Sequence, residues 1–265
     1  MQRDHCLVMG VLNVTPDSFS DGGLFLTPDS ALSHAAKLME EGADIIDVGA
    51  ESSRPGAAPL SLEEEWSRLE PIFNGLSASN FPVRISVDTY KPEIMRRAVD
   101  CGASVVNDIK GASPSDEILR DLASKQVTYL AMHMHKEPTT MQADPLGRQA
   151  ALAAVESFLA HTHARLAALG FANDDIWLDP GIGFGKGDRG NLALLEKVPE
   201  WAKRFNLAVG VSRKSFIGRL LDIPEPKDRD NPAKMLELNL LMSGVKVLRT
   251  HSVGPVVRMR SLLRD

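Results

Sequence analysis

Cysteine, net positive charge and long apolar runs are all scarce in this chain, and each scarcity excludes something. Two cysteines, Cys6 and Cys101, in 265 residues are too few for a disulfide framework and read as reduced thiols. Lysine and arginine number 30 against 35 acidic residues, a net charge of -5. That balance argues against a nucleic acid or an anionic membrane as the main partner, while a local basic pocket for a small anion stays open. No apolar run approaches the roughly 18 residues of a membrane span, and no secretory leader is expected before the first strand pattern. The expected setting is cytoplasmic, with small molecules as partners. There is no low-complexity tract. With 43% hydrophobic residues the chain can bury one large core, so residues 1–265 are expected to form one domain.

What is present is an alternation. Eight apolar, strand-like stretches each run into a polar residue: VMGVLN to Asn13, ADIID to Asp47, VRISVD to Asp88, SVVND to Asn107 and Asp108. They continue with TYLAMH to His133, DIWLD to Asp179, LAVGVSRK to Lys214, and KVLRTH to Arg249 and His251. Helical patterns separate them. In a parallel sheet all eight endings lie on one side, and closure into a (β/α)8 TIM barrel makes them a ring around the mouth. A charge is held at such a rim more cheaply than inside the barrel.

Caps and periodicity place the helices. The first is expected over Ser30–Glu41 and stops at Gly42; the second opens at a Ser61/Glu64 capping box and runs toward Leu76. The third starts at Pro92 and ends at Cys101-Gly102, and the fourth covers Pro114–Ser124. The rest are expected from about Gly147 to Leu169, Asn191 to Phe205, Ser215 to Leu221, Asn231 to Ser243 and Pro255 to Leu263. Two connections break the short-loop rule, Thr15 to Pro28 and Ala50 to Ser61, following the first and second strands. Loops of that length in a compact barrel are usually functional, and these are expected to be mobile lids. Their Ser, Asp and Arg side chains can reach an anion.

At these loops and strand ends the chain resembles the dihydropteroate synthase family of pterin-binding enzymes. The matching segments are MGVLNVTPDSFSDGG, DVGAESSRPGAA, SVDTYKPE, VNDIKG, MHMHKEPTTMQ, LDPGIGFGKG, VSRKSFIG and RTHSV, in order from Met9 to His251. The resemblance implies a transferase of folate biosynthesis, the family that sulfonamides target. Such an enzyme joins 4-aminobenzoate to 6-hydroxymethyl-7,8-dihydropterin pyrophosphate, releasing pyrophosphate. It also implies Mg2+ and a homodimer through the last helices.

Residue chemistry fits that implication. A pterin offers a ring N–H beside an amine, which a carboxylate accepts as a pair, and a carbonyl that wants a donor; Asp179 suits the first and Lys214 the second. By resemblance, Asp88 and Asn107 hold the opposite ring edge with Asp47 nearby, and Arg249 lies over the pterin face. Arg54, Arg249 and His251 supply positive charge to the departing pyrophosphate, and Asn13 presents its carbonyl to Mg2+. By resemblance, Phe184 and the stem of Lys214 make the aminobenzoate slot, closed by Phe19, Ser53 and Pro55. Ser215, at a helix start, is a candidate for the carboxylate. Catalysis is assigned to Asp88, Lys214, Arg249 and His251, through early C–O cleavage and a pterin cation.

Other signals are weaker. GIGFGKG lacks the Ser or Thr of a P-loop, and its glycines are expected to let backbone and Phe184 approach ligand. His133 and His135 are read as packing or rim residues, not as a zinc site. The chain departs from the family pattern at Ser53 for Thr, Ala50 for Gly, Ser252 for Asp and Lys136 for Gly. Two other readings compete, a methyltetrahydrofolate:corrinoid methyltransferase barrel and a paralogue that binds pterin without making product.

Overall fold

The computed structural model describes residues 6–14, 27–52, 58–79, 81–137, 140–141 and 143–263. Phe19, Ser53, Arg54 and Pro55, with most of the two long loops, lie outside the described residues. Eight parallel strands close into a barrel in sequence order. They are β1 (Leu7–Asn13), β2 (Ile45–Gly49), β3 (Arg84–Asp88), β4 (Val105–Asp108), β5 (Thr128–Met132), β6 (Ile176–Asp179), β7 (Asn206–Gly210) and β8 (Val247–Thr250), with β8 pairing back onto β1. The TIM barrel expected from the alternation is the fold.

Nine helices among the described residues surround it: α1 (Pro28–Glu40), α2 (Leu62–Ala78), α3 (Pro92–Asp100), α4 (Asp116–Ser124), α5 (Arg148–Ala168), α6 (Asp188–Trp201), α7 (Ser215–Leu221), α8 (Asp230–Met242) and α9 (Val253–Leu262). Their starts follow cap chemistry. Thr27 Oγ1 accepts from Ser30 N, and Pro28 at the first helical position loses no bond, so α1 begins two residues before the expected Ser30. At α2 the capping box is complete, with Glu64 N donating to Ser61 Oγ and Ser61 N to Glu64 Oε2. Helix α4 is capped by Ser115, so it begins after Pro114 and not at it. Helices α6 and α9 also start earlier than their apolar periodicity indicates, at Asp188 and Val253. Both first turns are polar or glycine-bearing, where periodicity is silent.

Strand parity sorts the side chains. Outward residues such as Val8, Ile46, Val87, Val106, Leu178 and Leu248 join the helices in the main core. Inward residues Met9, Ile45, Val105, Leu130, Trp177, Ala208 and Val247 fill the barrel with a second apolar cluster. Lower in the barrel Arg84 lies over the Trp177 ring at 5.1 Å and donates to Thr128 Oγ1 at 2.7 Å. The barrel is therefore plugged, and its polar mouth rests on a packed floor.

Candidate active site

One step above that floor the inward positions turn polar. Pairing puts Asp47 beside Ser86, Asp88 beside Asn107, and Gly210 beside Arg249, which brings residues distant in sequence onto one ring. Arg249 Nε donates to Asp47 Oδ2 at 2.6 Å and Nη2 to Asp88 Oδ2 at 2.9 Å, while Asn107 Nδ2 donates to the same Asp47 oxygen at 3.0 Å. Asp47 is fully buried, and its Oδ1 has no hydrogen-bond partner. An orphan carboxylate oxygen is costly unless a ligand donor meets it. Burial first, and then the nearby Asp47, push the Asp88 carboxyl up to about 7 despite Arg249. Burial works to lower the Arg249 pKa, but Asp47 and Asp88 outweigh it and the guanidinium is held above its usual value.

Across the mouth stand Asp179 and Lys214. Asp179 Oδ1 accepts Gly181 N at 2.6 Å; burial raises its pKa, opposed mainly by Lys214. Lys214 lies four residues beyond the end of β7, as the cap residue of α7, not in the strand. Its Nζ donates to Ile182 O at 2.5 Å and sits 4.3 Å from the Phe184 ring centroid. Burial brings its pKa down to about 8, with Asp179 opposing. Two ammonium N–H groups remain for a ligand.

The GIGFGKG segment is built for close approach. At Gly181, φ +67, an added Cβ would sit 1.9 Å from His133 O; at Gly185, φ +71, it would sit 2.2 Å from His135 O. Lys186 is wholly buried, and its Nζ bridges His133 O and Gly181 O, both at 2.8 Å. Asn191 braces the other side, accepting Gly183 N at 2.7 Å and donating to Lys186 O at 3.0 Å. Both are supports that residue-by-residue reading missed. Lysine in a glycine-rich stretch draws attention as a phosphate ligand, whereas here it ties the β5 and β6 connections together.

The remaining expected residues are placed as follows. His251, just past β8, directs Nδ1 to Ser212 Oγ at 3.1 Å, so a serine from the β7 connection orients the ring where Ser252 carries no charge. Ser252 N instead donates to Thr250 Oγ1 at 3.2 Å. Asn13 ends β1 with inward parity, beside Gly49. Ser215 is exposed, and Arg219 Nη1 donates to its hydroxyl at 3.2 Å. Two members of the sequence-derived ring do not face the mouth. Asp108 has outward parity and accepts Tyr129 OH, Lys110 N and Ser113 N. His133 packs edge-on against Phe158 of α5, centroids 5.3 Å apart, and burial brings its pKa down to about 3. Lys136 takes φ +63, a conformation glycine adopts without strain, and pairs with Asp144.

The arrangement gathers acceptors, an ammonium and a guanidinium at one mouth, with an aromatic wall beside Lys214. Comparison with known proteins gives the family. The profile described as pterin binding enzyme matches residues 9–251. The dihydropteroate synthase of Escherichia coli K12 is 42% identical over 259 residues, 97% of this chain and 90% of that protein. A solved Yersinia pestis dihydropteroate synthase with a sulfonamide drug superposes at TM-score 0.90 with 36% identity, covering 99% of this chain and 94% of the other. A Xanthomonas albilineans dihydropteroate synthase with 4-aminobenzoic acid gives 0.88 and 36%, over 98% and 93%. The chain therefore belongs to the pterin binding enzyme family, among the dihydropteroate synthases.

Proposed function

We propose that the chain condenses 6-hydroxymethyl-7,8-dihydropterin pyrophosphate with 4-aminobenzoate to give 7,8-dihydropteroate and pyrophosphate. The observation that carries this reading is the inward polar ring, Asp47, Asp88, Asn107 and Arg249, facing Asp179 and Lys214 across one mouth. Asp179 accepts the ring N–H and amine pair, Lys214 donates to the pterin carbonyl, and Asn107 with the orphan Asp47 Oδ1 meets the opposite edge. The C–O bond to pyrophosphate breaks first, and the electron-rich ring shares the positive charge left on the exocyclic methylene. Asp88, ionised, stabilises that charge in a site sheltered from water. The aminobenzoate nitrogen then forms the C–N bond and gives up a proton.

On the leaving-group side, His251 is oriented by Ser212, and Arg249 keeps Nη1 beyond its two carboxylate bonds. Arg54 is assigned to the same task from the sequence. Among the described residues no group of three His, Cys, Asp or Glu side chains could hold a metal. Asn13, inward at the end of β1, would hold Mg2+ through its amide oxygen. Such an ion supplies charge neutralisation on the leaving pyrophosphate. Phe184 and the Lys214 stem form the aminobenzoate wall with Phe19, Ser53 and Pro55, and the first turn of α7 at Ser215 meets its carboxylate.

Leu220, Leu221, Met235, Met242 and Leu262 are exposed on α7 to α9, which supports a homodimer through these last helices. No helix among the described residues is long and apolar enough to cross a membrane; we read the setting as cytoplasmic. Incubation with the pterin pyrophosphate, Mg2+ and aminobenzoate should yield dihydropteroate and pyrophosphate in equal amounts. Methyl transfer to a corrinoid, or pterin binding without product, would replace this reading by one of its competitors.

A further inference from the structure

A charged cluster behind Asp88 has no part in the chemistry above. Glu65 lies in the first turn of α2, where Glu63 and Glu64 are exposed and Glu64 completes the cap, yet Glu65 turns inward and is only 1% exposed. Helix capping therefore does not account for it. Its Oε2 accepts from Lys91 Nζ, and its Oε1 has no hydrogen-bond partner. Lys91, just before α3, also donates to Glu51 Oε2 at 2.5 Å, and the same Glu51 oxygen accepts Leu60 N at 2.9 Å. One ammonium thus serves two carboxylates, leaving a net negative charge. Glu51, Glu65 and Asp88 line one void of about 20 Å³, room for a single water.

We propose that Glu65 and Lys91 are positioning residues that set the charge on Asp88. Glu65 acts on that carboxylate across the shared void, and Lys91 supplies the cation that lets the buried Glu65 carry its charge there. Of the other charged groups around Asp88, Asp47 on β2 and the outward Asp108 on β4 repel its charge, Arg249 on β8 and Lys214 at α7 attract it, and Glu51 lines the same void and pairs with Lys91. Burial is the largest influence, and Glu65 adds to it in the same direction. The consequence, which rests on the proposed function, is a carboxyl poised to ionise near neutral pH, so that the empty site avoids a full uncompensated charge.

The test uses the full-length protein with ¹³C-labelled aspartate carboxyls, the Asp88 signal being assigned by its loss in Asp88→Asn. In the native chain the Asp88 midpoint is expected at about 7. Glu65→Gln should lower it by on the order of one pH unit, and Lys91→Met, which leaves the buried Glu65 without a cation and so uncharged, should lower it as well. Lys91→Arg should hold the native midpoint. Midpoints that stay put in Glu65→Gln, or that rise in either Glu65→Gln or Lys91→Met, overturn the proposal. If Lys91→Met does not fold, Glu65→Gln alone decides. The acid limb of kcat/KM for the condensation should follow the carboxyl midpoint in each variant. A midpoint that moves while that limb stays fixed leaves the coupling intact and rejects the role of Asp88 in the reaction, so the two failures are separable.

Discussion

Replacing Arg249 with methionine removes the cation that joins Asp47 to Asp88. Methionine keeps much of the side-chain length and its apolar contact, so the change is mainly electrostatic. Arg249 makes charge-assisted bonds of 2.6 and 2.9 Å to the two carboxylates, whose side chains are 0% and 19% exposed. Breaking a buried pair from one side costs about 3–5 kcal/mol, because the remaining charge is left uncompensated. Here two carboxylates are left facing each other, so at pH 8 the upper half of that range applies. The pH dependence carries the diagnosis. Asp88 is already raised to about 7 with Arg249 present, and an acid raised on folding costs nothing below its unfolded pKa of roughly 3.9. The cost grows as pH rises toward the folded value and is complete above it. Without Arg249 the folded value climbs, so Arg249→Met should lose stability most at pH 8 and recover much of it at pH 5.5, where Asp88 is protonated and can donate to Asp47. Urea unfolding of both proteins at the two pH values measures this. A loss that is equal at pH 5.5 and 8, or absent at both, would refute the ion triad as the source.

Two further outcomes follow from the same groups. Asp88→Asn should depress kcat by one to three orders of magnitude while changing pterin affinity much less, since the carboxylate acts on charge that develops only in the transition state; equal losses in both would indicate uniform binding. Lys214, brought down to about 8, is charged below that pH and neutral above it, so pterin affinity by calorimetry should fall as pH rises through about 8. A flat profile from pH 7 to 9.5 would remove Lys214 from the carbonyl contact.

Barrel topology, and the gathering of most strand-end polar residues at one mouth, are legible in the sequence, because a strand that ends in a polar residue at every repeat has one economical arrangement. Parity is where that reading stops. SVVND offers Asn107 and Asp108 side by side, and only the pairing of β3 with β4 shows that Asn107 points inward while Asp108 faces Tyr129. His133 stands at a strand end like the others, yet it turns toward Phe158. The supports were harder still. Glu65 sits in a run of three glutamates that reads as a solvated helix start, and its burial depends on Lys91 in a different connection. Ser212 is one of many serines until the β7 and β8 ends are brought within 3.1 Å. Arg249, expected over the pterin face, also ties two aspartates together, a bond between residues about 200 positions apart.

The most direct test of the pterin site is calorimetric titration of the dihydropterin pyrophosphate with Mg2+ into the native chain and into Asp179→Asn. The amide presents a donor where the ring presents one, and leaving that buried contact unsatisfied costs about 1–3 kcal/mol or more, roughly a 5- to 150-fold weaker Kd. That loss is expected while the thermal stability of the two proteins stays comparable. An Asp179→Asn variant that is folded and binds as tightly as the native chain would contradict it, since the ring would then have to be recognised elsewhere.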